Sequence, residues 1–259
     1  MGERGEAAPL DVASRGDWDR LAAAICEGHG RLDVLVNNAG ISGMGDLDSI
    51  DAAFWERFQR INVDSIFHSV QAMAALLRAS GHASVVNVGS LLALRANPAL
   101  PAYCASKASL RAQTKAYALH FAQGGDYVRV NAVHPGSTLT PMMEANLGES
   151  EDERSANYAR RVALHPLGAA TGRIVLPEDV AKAVLFLACE DSAFITGIDL
   201  PVDGGASLSS DTRRVCPPST MRFTPVIHEA RFDSRNTPAS ATSSAVPSRP
   251  KGISATVAS

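Results

Sequence analysis

Cysteine is scarce and scattered. Cys26, Cys104, Cys189 and Cys216 show no CxxC spacing, which argues against a zinc ribbon and gives no disulfide framework. Aromatic residues make up only 5% of the chain, and no apolar run approaches the roughly 18 residues of a membrane-spanning helix. The opening MGERGEAAPLDV lacks the apolar stretch of a signal peptide. Neither charge sign dominates: the net charge of −3 carries no electrostatic footprint for nucleic acid or an anionic membrane. These absences lead us to expect a cytoplasmic protein with reduced thiols, no metal, no nucleic-acid partner and no membrane partner.

What is present is apolar material, 46% of 259 residues, enough for the core of one large α/β domain. Its distribution is uneven. Residues 209–259 hold seven Arg/Lys against three Asp/Glu, six prolines and ten serines, a composition that buries too little surface to offset chain entropy. We therefore divide the chain into a folded domain over 1–208 and a disordered Ser/Pro-rich tail over 209–259.

Within the domain, LDVLVNNAG (32–40), ASVVNVGS (83–90), YVRVNAVHPG (127–136) and GIDLPVDGG (197–205) read as strands buried on both faces. Helices are expected at about 15–29, 50–80, 103–123 and 177–190, the last opened by Pro177 and acidic residues. Strands alternating with helices imply βαβ units and a parallel sheet, whose ligands lie at the strands' carboxyl ends. Gly, Ser, Asn and Pro residues close these strands and so line the expected site.

One pair there carries chemistry. Tyr103 and Lys107 stand four apart in AYCASKASL, on one helix face. A phenol with a pKa near 10 is a poor base at neutral pH. An ammonium about 4 Å away, at an effective dielectric near 20, would favour its phenolate by about 4 kcal/mol. With four tyrosines and four lysines the spacing arises by chance about 6% of the time, so the pair gains weight from its neighbours. Ser90 ends the strand VVNVGS thirteen residues earlier, Asn62 lies in INVDSIF, and LVNNAG and HPGSTLTPM close two further strands.

This ensemble resembles the short-chain dehydrogenase/reductase family, in the branch with subunits of about 250 residues. The resemblance covers roughly residues 10–206 and implies a Rossmann-like doubly wound parallel α/β sheet. It implies that Tyr103 is the general acid/base, that Lys107 lowers the tyrosine pKa and holds the nicotinamide ribose, and that Ser90 polarises the substrate oxygen. Asn62 would hold a water linking Lys107 to solvent. Cofactor contacts would come from Asp11 and Val12 beside the adenine, from Asn38, Ala39 and Gly40 under the adenosine ribose, and from Pro135, Gly136 and Thr140 facing the nicotinamide amide. Asn37 is read as a strand-to-strand stitch, and His134 as packed rather than catalytic. The implied activity is hydride transfer between NAD or NADP, with NAD favoured, and a secondary alcohol or ketone.

The family's opening strand and TGxxxGxG turn have no counterpart, since only ten residues precede Asp11 and such a half needs roughly 50–60. GISGMG (40–45) has the wrong spacing for a phosphate loop and reads as a loop near the substrate mouth. We expect an N-terminally truncated domain lacking the first βαβ strands, with the strand at 32–38 exposed as a sheet edge. The NAD-or-NADP determinant would lie in the missing part.

Residues 138–168 fall where the family places its substrate lid. There Met142, Met143, Leu147, Val162 and Leu164 either wall an apolar pocket for a small alcohol or pack a helix. The helices at 50–80 and 103–123 resemble the family's dimer face, which implies a homodimer or homotetramer, with Ala108, Leu110, Ala112, Ala116, Leu119 and Phe121 suited to close packing there and a buried core face as the competing account. The alternative reading is a non-enzymatic fragment or pseudoenzyme that dimerises without binding cofactor. A sugar-nucleotide epimerase shares Tyr-x-x-x-Lys but fits HPGSTLTPM less well.

Overall fold

The computed structural model describes residues 5–209 and 255–258. Five parallel strands form one sheet in the order β4-β3-β2-β1-β5, with β1 Val34–Asn37, β2 Ala83–Val88, β3 Val128–Pro135, β4 Asp199–Val202 and β5 Ala255–Ala258. Every residue of β1 is buried, and so is every residue of β2 and β3 except the last, as expected of parallel strands covered on both faces. β4, expected to be buried likewise, is only half-buried with Pro201 exposed, because it ends the sheet and has a neighbour on one side alone.

The main core lies on the face covered by α1 (Arg15–His29), α3 (Ser65–Ser80) and α4 (Pro101–Gln123), where Trp18, Leu35, Met73, Leu77, Val85, Phe121 and Val130 meet. Ser14 caps α1 by accepting from the Asp17 amide, and Gly30 ends it at φ 71°, a left-handed conformation that suits glycine. The opposite face is closed by α8 (Pro177–Ala188), which carries Leu187 onto Val86 and Val133.

Between α3 and the shorter α2 (Ala52–Gln59), the expected single helix at 50–80 is interrupted by a π-helical turn, Arg60–Asp64. The lid segment folds as α5 (Pro141–Glu144), α6 (Glu151–Leu164) and α7 (Pro166–Thr171). A capping box between Ser150 and Glu153 starts α6. Met143 and Leu147 pack with Ile174, Tyr158 and Val162, so the packing account holds for them, while Met142 is exposed.

Two expectations change at the sheet edge. The strand at 32–38 is not an edge: β5 runs parallel beside it, from Val34 opposite Ala255 to Asn37 opposite Ala258. Unpaired N–H and C=O groups of an edge strand are a template for any extended segment, and Thr256 and Val257 suit a strand. The same four residues depart from the disorder expected of 209–259. The rest of that tail, apart from Ser209, lies outside the described residues.

Candidate active site

The carboxyl ends of β1, β2 and β3 bring the chemistry-bearing residues together. β2 delivers Ser90, whose extended backbone (φ −165°) caps the short turn Leu91–Ala93. Its Oγ accepts from the Leu92 amide at 3.1 Å, which leaves the hydroxyl proton free to donate elsewhere. Ser90 faces the Tyr103 phenol and favours its ionised form. The Tyr103 ring is held edge-on by Phe58, with centroids 6.5 Å apart.

One turn further along α4, Lys107 is 5% exposed, and its Nζ donates to the Val88 carbonyl at 3.1 Å. The same Nζ lies 5.8 Å from the centre of the Tyr103 ring. Ser90, Tyr103 and Lys107 thus converge on one place.

The electrostatics differ from the expectation. Burial raises the Tyr103 phenol above its usual range, and the Ser90 hydroxyl only partly offsets this. Burial also pulls the Lys107 ammonium down to about 8. The predicted acidification of Tyr103 by Lys107 is not a visible contribution. Burial disfavours both charged forms, and the ammonium spends its hydrogen bond on Val88. What lowers the phenol here is Ser90.

Asn62 sits in the π-helical turn, a feature that often accompanies functional sites, and its side chain is fully buried. Its Oδ1 accepts from the Ile41 amide at 2.8 Å, and its Nδ2 donates to the Ile41 carbonyl and to Ser106 Oγ, both at 3.0 Å. Ser106 in turn donates to the Tyr103 carbonyl at 2.8 Å. Asn62 therefore clamps the loop after β1 to the helix carrying Tyr103, and sequence reasoning had no signal for Ser106.

Gly40 lies under this clamp. A Cβ there would fall 3.2 Å from Asn62 Oδ1 and 3.4 Å from Lys107 Nζ, so glycine lets the loop after β1 pack closely against both.

The remaining candidates separate into two groups. Val12, Asn38 and Ala39 line a small, shallow cleft with Trp18, Asn37, Ser65 and Ile66. Asp11 stands beside it, but its carboxylate accepts from the Ala13 amide, which shapes the approach to α1. Asn37 is the stitch expected of it: it donates to Asn87 Oδ1 at 2.8 Å, and Asn87 donates to Thr114.

Pro135 closes β3, and Gly136 follows it, where a Cβ would meet His165 Nε2 at 2.4 Å. His165 is another residue the sequence did not flag; its Nε2 accepts from the Ser137 amide at 3.0 Å, tying the end of α6 to this turn. Thr140 caps α5. The GISGMG loop packs Gly43 on Phe54 and Phe58 and opens no helix directly, consistent with a loop rather than a phosphate cradle.

A nicotinamide dinucleotide fits one end of this arrangement. Buried Lys107, packed against Gly40, together with Tyr103 and Ser90, is the donor set that a nicotinamide ribose and a reacting alcohol require. Among the described residues, no glycine-rich turn opens a helix beside β1 to take the pyrophosphate. No group of His, Cys, Asp and Glu among them could hold a metal ion, and no helix is long and apolar enough to cross a membrane.

Comparison with known proteins gives this geometry its context. The family model described as enoyl-(acyl carrier protein) reductase matches residues 1–207. The chain is 38% identical over 196 residues to 2-(S)-hydroxypropyl-CoM dehydrogenase 3 of Xanthobacter autotrophicus, covering 75% of this chain and 74% of that one. Its identity to a 3-beta-hydroxysteroid dehydrogenase of Comamonas testosteroni is 35%, over 78% and 77% of the two chains. The solved aldohexose dehydrogenase of Thermoplasma acidophilum superposes with a TM-score of 0.74 at 30% identity, covering 83% of this chain and 84% of that one. ElxO with NADP bound superposes at 0.69 with 29% identity over 77% of each chain. The chain belongs to the short-chain dehydrogenase/reductase family of NAD(P)-dependent oxidoreductases.

Proposed function

We propose that this protein transfers hydride between NAD(P) and a small, largely apolar secondary alcohol or its ketone. The observation that carries the reading is the convergence of Ser90, Tyr103 and Lys107 beside Gly40. The dinucleotide, when bound, accepts or supplies the hydride; the side chains do the rest.

Ser90, with its lone pair occupied by the Leu92 amide, donates its proton to the substrate oxygen and holds it beside Tyr103. In oxidation the Tyr103 oxygen takes the alcohol proton, and in reduction it returns one. A phenol raised by burial stays protonated at neutral pH, which is the form that returns a proton in reduction. Lys107 would hold the nicotinamide ribose, and Asn62 fixes the loop that faces it. Val12, Asn38 and Ala39 would meet the adenosine, and Pro135, Gly136 and Thr140 the nicotinamide amide.

The substrate class is supported by relatives named for 2-(S)-hydroxypropyl-CoM, for a 3-beta-hydroxysteroid and for cyclopentanol. Leu110 and Phe121 lie in the core rather than on the dimer face, but exposed Phe67 on α3 and an exposed stripe of Ala108, Ala112, Ala116 and Leu119 on α4 support a homodimer through these helices.

The test is turnover of cyclopentanol and cyclopentanone with each nucleotide, comparing the native chain with Tyr103→Phe. Loss of the hydroxyl should lower kcat by at least about a hundredfold, and a smaller loss removes Tyr103 from the acid/base role. A second reading, a non-enzymatic relative that dimerises without cofactor, is favoured by β5 lying along β1 with no glycine-rich turn beside it among the described residues. Titration of NADH and NADPH separates the two, since binding in the low micromolar range argues for the enzyme.

A further inference from the structure

His134, the seventh residue of β3, is fully buried and touches the site from behind. Its Nδ1 lies 3.3 Å from the Ser90 amide nitrogen and 3.1 Å from the Ser90 carbonyl oxygen. On the other side, its Nε2 lies 3.0 Å from Asp199 Oδ1. The second oxygen of Asp199 takes hydrogen bonds from Arg111 at 2.8 Å and Lys115 at 2.7 Å, both on the helix that carries Tyr103 and Lys107. Gly89 makes room for the ring, since a Cβ there would fall 2.4 Å from His134 Nδ1.

We propose that His134 is a positioning residue for Ser90, holding its main chain so that the hydroxyl meets the substrate oxygen beside Tyr103. The inference rests on the oxidoreductase reading. An ionised carboxylate only accepts, so Asp199 requires a proton on His134 Nε2. In the neutral ring this leaves Nδ1 bare, and the Ser90 N–H donates to it. Burial favours that neutral form, although Asp199 opposes the shift. The Ser90 carbonyl would be engaged only by a doubly protonated ring. Asp199, fixed by two cations from α4, thus sets the tautomer, and the tautomer sets which Ser90 group is held. A chain of contacts runs from the helix of Tyr103 and Lys107 through β4 and β3 to Ser90, linking both halves of the acid/base machinery.

Two substitutions separate positioning from packing. His134→Asn keeps a polar atom near Nδ1 and loses the reach to Asp199, whereas His134→Gln keeps that reach and loses Ser90. In the full chain at neutral pH, hydrogen exchange of the Ser90 amide is measured against that of the core amide of Val130. We expect Ser90 exchange to rise at least about tenfold in the Gln variant, with Val130 unchanged, and to stay close to native in the Asn variant. Turnover of cyclopentanone with NADH or NADPH should follow the same order, through kcat rather than KM. Equal exchange at Ser90 in all three proteins overturns the proposal, as does a rise at Ser90 and Val130 together. Absence of turnover in the native chain would sink the oxidoreductase reading instead, while the exchange comparison still decides what His134 holds.

Discussion

Lys107 should cost the protein stability at neutral pH, and the cost can be worked from its burial. The side chain belongs to a residue only 5% exposed, and desolvation brings its pKa from 10.5 to about 8. Between those two values the unfolded chain binds more protons than the folded one, so stability rises with pH through that window. The difference of about 2.5 units corresponds to about 3 kcal/mol of destabilisation at pH 7, which fades as pH approaches 10.5. Lys107→Met removes the charge but also the hydrogen bond to Val88, worth about 1 kcal/mol. We expect the variant to be more stable than the native chain by about 2 kcal/mol at pH 7 and slightly less stable near pH 10.5. Urea denaturation of both proteins at neutral pH and near pH 10 reads the difference directly, and titrations shared by the two cancel. A stability difference that does not change with pH would refute the argument, because it would mean Lys107 is not desolvated when folded. Catalytic turnover should be lost in the variant, which is the usual stability cost of a functional site.

Other outcomes follow from the same contacts. Gly89→Ala forces a Cβ to 2.4 Å from His134 and 3.2 Å from the Val133 carbonyl, so it should cost about 2–3 kcal/mol by thermal denaturation. Asp199 is held down to about 2, because hydrogen bonds from Lys115, Arg111 and His134 outweigh the opposing effect of burial. Its contribution, up to about 2 kcal/mol, is present above pH 4 and lost as pH falls towards 2; Asp199→Asn should flatten that part of an acid denaturation profile. Removing residues 252–259 uncovers the outer edge of β1, and the shortened chain should self-associate more readily in sedimentation experiments, whereas unchanged behaviour would mean β5 does not shield that edge.

The elements on which the site is built were legible because their patterns are strong. α1 spans the expected 15–29 and α4 all but matches 103–123, since Ser14, Gly30 and Pro101 punctuate periodic apolar runs. Four strands fall where the sequence placed them, but only β1, β2 and β3 are buried on both faces; β4 carries Asp199 and is half-buried. The meeting of Ser90, Tyr103 and Lys107 was legible from chain order and family resemblance. The roles of Asp199 and His165 were not. Asp199 pairs with His134 across 65 residues, and His165 with Ser137 across 28, through strand adjacency and helix packing that no local pattern encodes. The π-helical turn that swings Asn62 inward has no sequence signature either.

The misjudged electrostatics show where pairwise reasoning stops. Placing an ammonium 4 Å from a phenol treats the protein as a uniform medium, and the sign of the expected shift then depends only on the partner's charge. In the folded chain both groups are withdrawn from water, and desolvation acts on each before either acts on the other. Lys107 is then less a source of field than a group waiting for polar partners, one of which, the Val88 carbonyl, it already has. A ribose hydroxyl placed beside Lys107 Nζ would supply another, returning the ammonium towards its ordinary pKa and, with it, its influence on Tyr103. Acidification of the phenol is on this account a consequence of filling the site, not a standing property of the empty pair. The lysine pKa should therefore rise, and the tyrosine pKa fall, when a dinucleotide is added, and an ultraviolet titration of Tyr103 that is the same with and without it would contradict this coupling.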